Sequence, residues 1–199
     1  MYPSILKKLI QTLAHLPGLG EKSATRICLF LISHPELCEL LGDLIRELPF
    51  KLKLCKFCRN LSEEEVCFIC KDDTRNKEVI CVVENPVNVF NIESLKIYNG
   101  LYFVLHYLIS PKEGIGPKEL GLDYLFYLIK IKEIKELIIA LSSTVNGEIT
   151  ASYILENLQN LPIKVTKIAC GIPMGMELQF ADPLTLKKAL QRREILKGS

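Results

Sequence analysis

The sequence predicts an α/β protein: a helical N-terminal region and a four-cysteine segment, then a parallel β-sheet covered by helices, and a last helix at the C-terminus. Three observations predict this order. Apolar side chains recur at helical spacing over residues 4–50, two Cys-x-x-Cys pairs fall within 55–70, and β-branched runs alternate with helical stretches from Val79 onward. Strands that alternate with helices are typical of a parallel sheet with both faces covered. The change of pattern predicts a boundary near residue 75.

Three helices are predicted in the N-terminal region, at 4–14, 21–33 and 36–50. The Pro-Gly-Leu-Gly stretch at 17–20 interrupts the apolar pattern between the first two, because glycine and proline favour turns. Pro49 lacks a backbone N–H, so it is predicted to end the third helix.

The body of the chain begins with a continuous apolar run at 79–83, the pattern of a buried strand. The Gly-Ile-Gly-Pro stretch at 114–117 is predicted to be a loop closed by a proline that starts the next helix. Asp182 is predicted to cap a last helix at 183–193, which begins with a proline. The further predicted strands are 101–106, 136–141 and 163–169, and the helices between the strands are 87–97, 117–130 and 147–160.

The composition is that of a folded protein, because the 199 residues are 49% hydrophobic and 24% charged with a formal net charge of +2. No run approaches the roughly 18 apolar residues of a membrane span, and no cleavable signal peptide is predicted. We therefore expect a soluble, cytoplasmic protein.

The charge is unevenly distributed along the chain. Residues 1–60 carry nine Lys and Arg against five acidic residues, which leaves a net charge of +4 there and −2 on the remainder. A basic N-terminal region indicates a localised nucleic-acid contact, although ordinary solvated helical faces carry the same pattern.

The stretch Leu-Pro-Gly-Leu-Gly at 16–20 has the sequence of a helix-hairpin-helix turn. Its glycines permit a tight turn whose N–H groups point outward beside the N-terminus of the second helix, which suits a phosphate oxygen. Lys22 and Arg26 are four residues apart and project from one helical face, where they can neutralise phosphates without reading bases. The alternative is an ordinary glycine turn with a solvated basic face. The candidate DNA-contact residues are Gly18, Gly20, Lys22 and Arg26.

Eight cysteines in a chain without a predicted secretion signal argue against a disulfide framework. Four of them form two Cys-x-x-Cys pairs separated by eight residues, the ligand spacing of a tetrahedral zinc site. Four thiolates leave no position for water, so the site is predicted to be structural and to supply most of the folding energy of its polar segment. The alternatives are a redox pair or unrelated core thiols. The predicted ligands are Cys55, Cys58, Cys67 and Cys70. The remaining cysteines are predicted to be core residues: Cys28, Cys38, Cys81 and Cys170.

Acidic residues follow two of the predicted strands. Glu84 follows the first, and Asn146-Gly147-Glu148 follows the third. Carboxylates at the carboxyl ends of parallel strands converge on the crevice where α/β proteins bind ligands, and two or three of them can hold Mg²⁺. Glu84 and Glu148 are therefore a candidate acidic cleft, and the alternative is that each is a surface acid at a loop. The sequence contains no phosphate-binding Gly-x-x-x-x-Gly-Lys-[Ser/Thr] loop and no nucleophile motif, so no catalytic residue is assigned.

Several sequence blocks follow one another in a fixed order along the chain. They are 16–20 with Lys22-Ser23-Ala24 and Arg26, the four predicted zinc ligands, 80–84, Ser110-Pro111 with 114–117, 144–150, 169–175 and Ala181-Asp182. In this order, these blocks resemble the RecR family over nearly the whole chain. The resemblance implies a helix-hairpin-helix, a four-cysteine zinc module, a Toprim-like α/β domain and a C-terminal segment likened to a Walker B motif. It also implies ring-shaped tetramers around DNA that act with RecO and RecF in gap repair, assist RecA loading and do no chemistry on the DNA.

Two departures from the family pattern count against a metal or nucleotide site in the α/β domain. The family usually has an acid at the position of Asn146, and an acid and a tyrosine at the positions of Gln179 and Phe180. An amide in place of a carboxylate removes charge that a divalent cation needs, which counts against Mg²⁺ binding. The DNA-contact and zinc residues match the family pattern fully.

We therefore expect a non-enzymatic mediator that binds DNA without sequence preference, associates into a dimer or tetramer ring, and joins the nucleoid when bound to DNA. The alternatives are a Toprim-type metal-dependent DNA enzyme (a nuclease, a primase or a topoisomerase fragment) and a redox protein that uses its Cys-x-x-Cys pairs. The expected regions are 1–54 (helix-hairpin-helix), 55–75 (zinc module), 76–170 (Toprim-like domain) and 171–199 (C-terminal Walker-B-like segment and helix).

Overall fold

The computed structural model describes residues 2–191 and 193, and the chain divides into two compact units between Lys53 and Leu54. The predicted region 171–199 and the predicted helix 183–193 therefore extend in part outside the described residues. In the part of the chain that is described, no helix combines the length and the apolar character needed to cross a bilayer.

The first unit consists of three helices, as predicted. Its buried core is small and is formed by Ile10, Ala24 and Cys28. The third helix contributes no buried residue. The bounds are α1 (Ser4–Ala14), α2 (Glu21–Ile32) and α3 (Pro35–Lys51).

The prediction that Pro49 ends the third helix is wrong, because Pro49 lies inside the last turn of α3. A proline removes one N–H donor from the helix but leaves the neighbouring bonds possible near a helix end. Here the N–H of Leu52 still donates to the carbonyl oxygen of Leu48 at 3.2 Å. The helix therefore continues to Lys51.

The second unit is built on a four-stranded parallel sheet with the strand order β4-β3-β5-β6, which confirms the predicted α/β class. The cysteine segment before it contains a small two-stranded sheet and a short helix. The bounds are β1 (Lys53–Leu54), β2 (Leu61–Ser62), α4 (Phe68–Lys71), β3 (Asn76–Val83), α5 (Pro86–Ser94), β4 (Gly100–Val104), α6 (Leu122–Ile131), β5 (Glu136–Ala140), α7 (Val145–Leu158), β6 (Lys164–Lys167) and α8 (Pro183–Gln191).

Side chains of the central strands alternate between two cores, as the strand geometry requires. In β3, Ile80 and Val82 belong to one core, whereas Cys81 and Val83 belong to the other. Burial of each such aliphatic side chain contributes about 1.5–3 kcal/mol to folding. The first core also takes the apolar residues of α6 and α7, and the second takes those of α5 and the cysteine segment. The cysteine segment is therefore packed on the sheet together with α5.

One predicted helix start is wrong. The helix expected from Pro117 begins at Leu122, after a series of turns at 117–121. Gly121 precedes it with φ of +70°, a left-handed conformation that glycine adopts without strain. The predicted cap of the last helix is confirmed, because the Asp182 carboxylate accepts hydrogen bonds from the N–H groups of residues 184 and 185, both at 3.0 Å.

Candidate DNA-contact turn, zinc site and acidic edge

The turn between α1 and α2 has the geometry that its glycines predict. Gly18 has φ of +80°, and a side chain there would meet no atom within 4 Å, so the need for glycine comes from the backbone conformation alone. Gly20 is the N-cap of α2 and has no side chain to cap the helix. The N–H groups of the first turn of α2 therefore remain available to an outside acceptor such as a phosphate oxygen.

Lys22 and Arg26 lie on the exposed face of α2, one helical turn apart. The opposite face carries the buried Ala24 and Cys28, which anchor the helix in the core of the first unit. Both cationic side chains thus extend into solvent close to the free N–H groups. This arrangement can hold neighbouring phosphates, and the DNA contact itself stays a prediction.

The four predicted zinc ligands converge in the structure. The Sγ atoms of Cys55, Cys58, Cys67 and Cys70 all lie within 4.8 Å of one another, and three of these cysteines are buried. The Sγ atoms of Cys58 and Cys67 are 3.5 Å apart. A tetrahedral site with Zn–S bonds of about 2.3 Å places its sulfurs about 3.8 Å apart. The residues present therefore fit a zinc ion, and zinc bound there would hold the segment together as a structural ion.

Electrostatics in this cluster favours thiolate formation at one sulfur and opposes it at others. Hydrogen bonds from Cys58 and from Cys70 lower the pKa of Cys67 well below that of a free thiol. The same contact with Cys67 raises the pKa of Cys58. Sulfurs this close cannot all ionise without a cation between them, so the cluster fits a divalent ion bound by thiolates. The N–H of Cys67 also donates to the Sγ of Cys55 at 3.3 Å.

Several contacts that the sequence did not indicate attach the cysteine segment to the rest of the second unit. The N–H of Val104, on the edge strand β4, donates to the carbonyl oxygen of Cys58 at 2.8 Å. The Nε2 of His106 lies 2.7 Å from the carbonyl oxygen of Arg59, and the Arg59 guanidinium donates to the carbonyl oxygen of Leu120. His106 thus contributes a contact that holds the cysteine segment in place. No local pattern in the sequence indicates these pairs, because the partners lie far apart along the chain.

The two candidate acids lie near the carboxyl edge of the sheet. Glu84 directly follows β3, and Glu148 lies in the first turn of α7, which follows the neighbouring strand β5. Gly147 permits this tight connection, because a Cβ atom there would lie 2.0 Å from the carbonyl oxygen of Ser142. Within residues 2–191 and 193, Glu84 makes no hydrogen bond or ion pair. A cavity of about 760 Å³ opens beside Glu148.

Two lysines that the sequence did not indicate neutralise Glu148. The Nζ of Lys167, on β6, lies 2.7 Å from one carboxylate oxygen, and the Nζ of Lys188, on α8, lies 3.2 Å from the other. Hydrogen bonds from Lys167 and then Lys188 lower the pKa of Glu148. The carboxylate is therefore ionised and already has two positive partners.

Two of the four cysteines predicted to be core residues are not. Cys28 and Cys81 are buried, but Cys38 is exposed and Cys170 is partly exposed, with its Sγ 3.0 Å from the Oγ of Ser143. An apolar neighbourhood in the sequence does not decide which face of a helix or loop a residue occupies.

A helix-hairpin-helix turn, a four-thiolate zinc site and a parallel sheet with acids at its carboxyl edge define a modular class of zinc-containing α/β proteins. Family models match consecutive segments of the chain. They are the RecR helix-hairpin-helix over residues 6–47, the RecR zinc finger domain with four cysteines over 52–72, the Toprim domain over 78–169 and the RecR C-terminal segment over 171–194. The chain belongs to the RecR family.

Curated relatives resemble the chain along nearly its whole length. "Recombination protein RecR" of Koribacter versatilis is 40% identical over 192 residues, which is 96% of each chain. The proteins of the same name from Pelotomaculum thermopropionicum and Clostridium perfringens are 40% and 41% identical over 197 residues, or 98% of each chain. These matches confirm the resemblance on which the expectations above depend.

Proposed function

We propose that the chain is a DNA-binding mediator of recombinational repair that does no chemistry on DNA. Its relatives carry the name of a recombination protein. One observation supports DNA binding directly. At the N-terminus of α2, a left-handed Gly18 precedes N–H groups with no cap, and Lys22 and Arg26 project from the exposed face.

Such a contact binds phosphate and not base edges. Helix N–H groups and two flexible cations match the charge and spacing of a backbone but present no pattern that distinguishes one base pair from another. Binding should therefore be independent of sequence and sensitive to salt, because each neutralised phosphate releases counterions. One contact of this size is weak, so several copies of the turn in one assembly would raise the affinity by effective concentration.

The exposed apolar face of α3 supports self-association into a dimer or a tetramer ring. Four aliphatic residues at helical spacing are each more than half exposed: Leu40, Leu44, Ile45 and Leu48. No residue of α3 is buried by the chain itself. An apolar helix face of this length is unfavourable in water, and a second copy of the same helix offers a matching surface.

The family resemblance supports the remaining parts of the proposal. The mediator would act in the cytoplasm, and at the nucleoid when bound to DNA, together with RecO and RecF in assisting RecA loading at gaps. The zinc would be structural. The proposed domain boundaries remain 1–54, 55–75, 76–170 and 171–199.

A Toprim-type nuclease or primase is the alternative function, and two observations count against it. Among the described residues, the four cysteines are the only group of three or more potential metal ligands. Glu148 already has two lysine partners, which a magnesium ion would have to displace. We therefore assign no catalytic residue and no Mg²⁺ to Glu84 and Glu148.

A binding titration at several salt concentrations tests the DNA contact. Replacing Lys22 and Arg26 with Ala should weaken binding about equally for unrelated duplex sequences. The slope of log affinity against log salt should become shallower by about 1.8, because each lost phosphate contact removes about 0.9. Zinc content should not change.

Lys7→Ala with Lys8→Ala is the matched control, since it removes the same charge from exposed positions of the same unit. An equal effect of both double variants would show a diffuse contact and contradict the assignment. An unaltered slope in the Lys22 and Arg26 variant would place the contact elsewhere, with Lys51, Lys53 and Lys56 the next candidates.

A further inference from the structure

Aromatic and basic side chains form a continuous surface where the cysteine segment meets α6. We call Lys56, Phe57, Tyr124, Tyr127 and Lys132 the aromatic–basic surface. The Nζ of Lys132 lies 4.5 Å from the centroid of the Phe57 ring, and the Nζ of Lys56 lies 5.8 Å from the same centroid. Two ammonium groups from distant parts of the chain are thus held at most about 10 Å apart.

These two lysines lack strong anionic partners. Within residues 2–191 and 193, Lys132 forms no ion pair. Lys56 lies 4.0 Å from a carboxylate oxygen of Glu65, and both side chains are mostly exposed. An exposed pair at that distance contributes little. The cations therefore remain available to an external anion, and both lie within about 6 Å of the centroid of one aromatic ring, Phe57.

Contacts within the second unit position the aromatic rings beside the lysines. The Tyr124 hydroxyl donates to the carbonyl oxygen of Lys56 at 2.9 Å, which ties α6 to the cysteine segment. The Tyr127 ring lies against the Tyr124 ring, with centroids 6.3 Å apart and an angle of 27° between the planes. Tyr127 is nevertheless 57% exposed. A supported aromatic ring that is open to solvent beside two cations is the arrangement on which the bases of a single strand stack.

We propose that single-stranded DNA binds the aromatic–basic surface, with a base against Tyr127 and backbone phosphates at Lys56 and Lys132. A duplex keeps the faces of its bases inside the helix and cannot use an aromatic platform, whereas a single strand exposes them. An acidic protein segment would match the lysines but would gain little from an open tyrosine ring. This inference rests on the proposed DNA-binding function and adds the form of DNA and a second contact, distinct from the turn before α2.

Titrations of labelled oligothymidine and of a duplex of equal length test this inference. Tyr127→Ala should weaken oligothymidine binding by at least about fivefold, the lower range for loss of one base–aromatic stack, without changing the salt slope. Duplex binding should change by less than about twofold. Lys56→Ala with Lys132→Ala should make the oligothymidine slope shallower by about 1.4, because each single-strand phosphate contact contributes about 0.7.

Matched controls lie elsewhere on the second unit. Phe90→Ala removes an exposed aromatic ring from α5, on the opposite face of the sheet from α6, and Lys96→Ala with Lys112→Ala removes two exposed lysines. The controls should leave oligothymidine binding unchanged. Zinc content and the unfolding midpoint, measured for every variant, confirm that the fold is intact.

The outcomes separate this inference from the proposed function. If Tyr127→Ala leaves oligothymidine binding unchanged while the Lys22 and Arg26 variant weakens it, the inference is wrong and the DNA-binding function stands. The surface would then be a candidate contact for an acidic protein. An equal loss in Phe90→Ala would also overturn the inference. A wild-type protein that binds neither form of DNA would contradict the proposed function itself.

Discussion

Each oxygen of the Glu148 carboxylate forms an ion pair with a lysine of the same chain. Lys167 and Lys188 reach it from β6 and from α8, and both lysine side chains are partly buried. The Glu148 side chain is 44% exposed, so each ion pair contributes about 1 kcal/mol or less. The pairs still have a structural consequence, because the contact to Lys188 fastens the last helix to the carboxyl edge of the sheet.

Replacing Glu148 with Gln should loosen α8 without unfolding the sheet. Amide hydrogen exchange in α8 should accelerate by about fivefold or less at neutral pH, since the local opening loses up to about 1 kcal/mol. The ordinary pKa of 4.5 is lowered in the fold, so the stabilisation is present at neutral pH and is lost as the pH falls through the lowered pKa. Glu156→Gln, beside the same cavity on α7, is the control. Unchanged exchange in Glu148→Gln would show that α8 is held by other contacts.

Among the elements, the cysteine segment depends most on a bound metal ion for its stability. Its strands β1 and β2 have two residues each and its helix α4 has four, which is too little to fold alone. The structure adds that Cys55, Cys58 and Cys67 are part of the core packed on the sheet. The segment also supplies a hydrogen-bond acceptor to the edge strand β4 through Cys58. Zinc bound by these cysteines therefore supports the sheet edge as well as the segment.

Cys58→Ser should abolish stoichiometric zinc and give insoluble protein or a clearly lower unfolding midpoint, because the segment loses its main source of folding energy. Elemental analysis and thermal unfolding measure the two effects. Cys38→Ser, at an exposed position in the first unit, is the control and should keep one zinc per chain. Well under one zinc in the active wild-type protein would contradict the zinc assignment and favour the redox alternative.

At the scale of the whole molecule, the proposed function depends on how many of the proposed DNA-contact turns one particle presents. The net charge of +2 per chain gives a single subunit little general attraction for DNA. Assembly through α3 would multiply the contacts without any strong individual site. DNA affinity and oligomeric state should therefore change together.

Leu44→Asp with Leu48→Asp should lower the particle mass in gel filtration with light scattering, because burying two carboxylates in an apolar contact is unfavourable. As the particle mass falls, the slope of log affinity against log salt for DNA binding should become shallower. Ile97→Asp, at a highly exposed position of the second unit, should change neither property. A variant of α3 with an unchanged mass would place the self-association surface elsewhere.

Features set by neighbours along the chain were predictable from the sequence alone. The spacing of the four cysteines, the glycine turn before α2, the apolar runs that form the strands and the Asp182 cap each depend on residues close together in sequence, and the structure has all of them. The RecR family membership follows from the same local blocks taken in order.

Features that depend on distant residues were decided by the tertiary structure. The lysines on Glu148 come from positions 19 and 40 residues away, and Lys132 reaches Phe57 from another module, so no local pattern indicated them. The continuation of α3 past Pro49 and the late start of α6 after Gly121 depend on backbone geometry that an apolar pattern does not encode. Local spacing fixes which groups are adjacent in the chain, whereas packing decides which charges and rings meet across it.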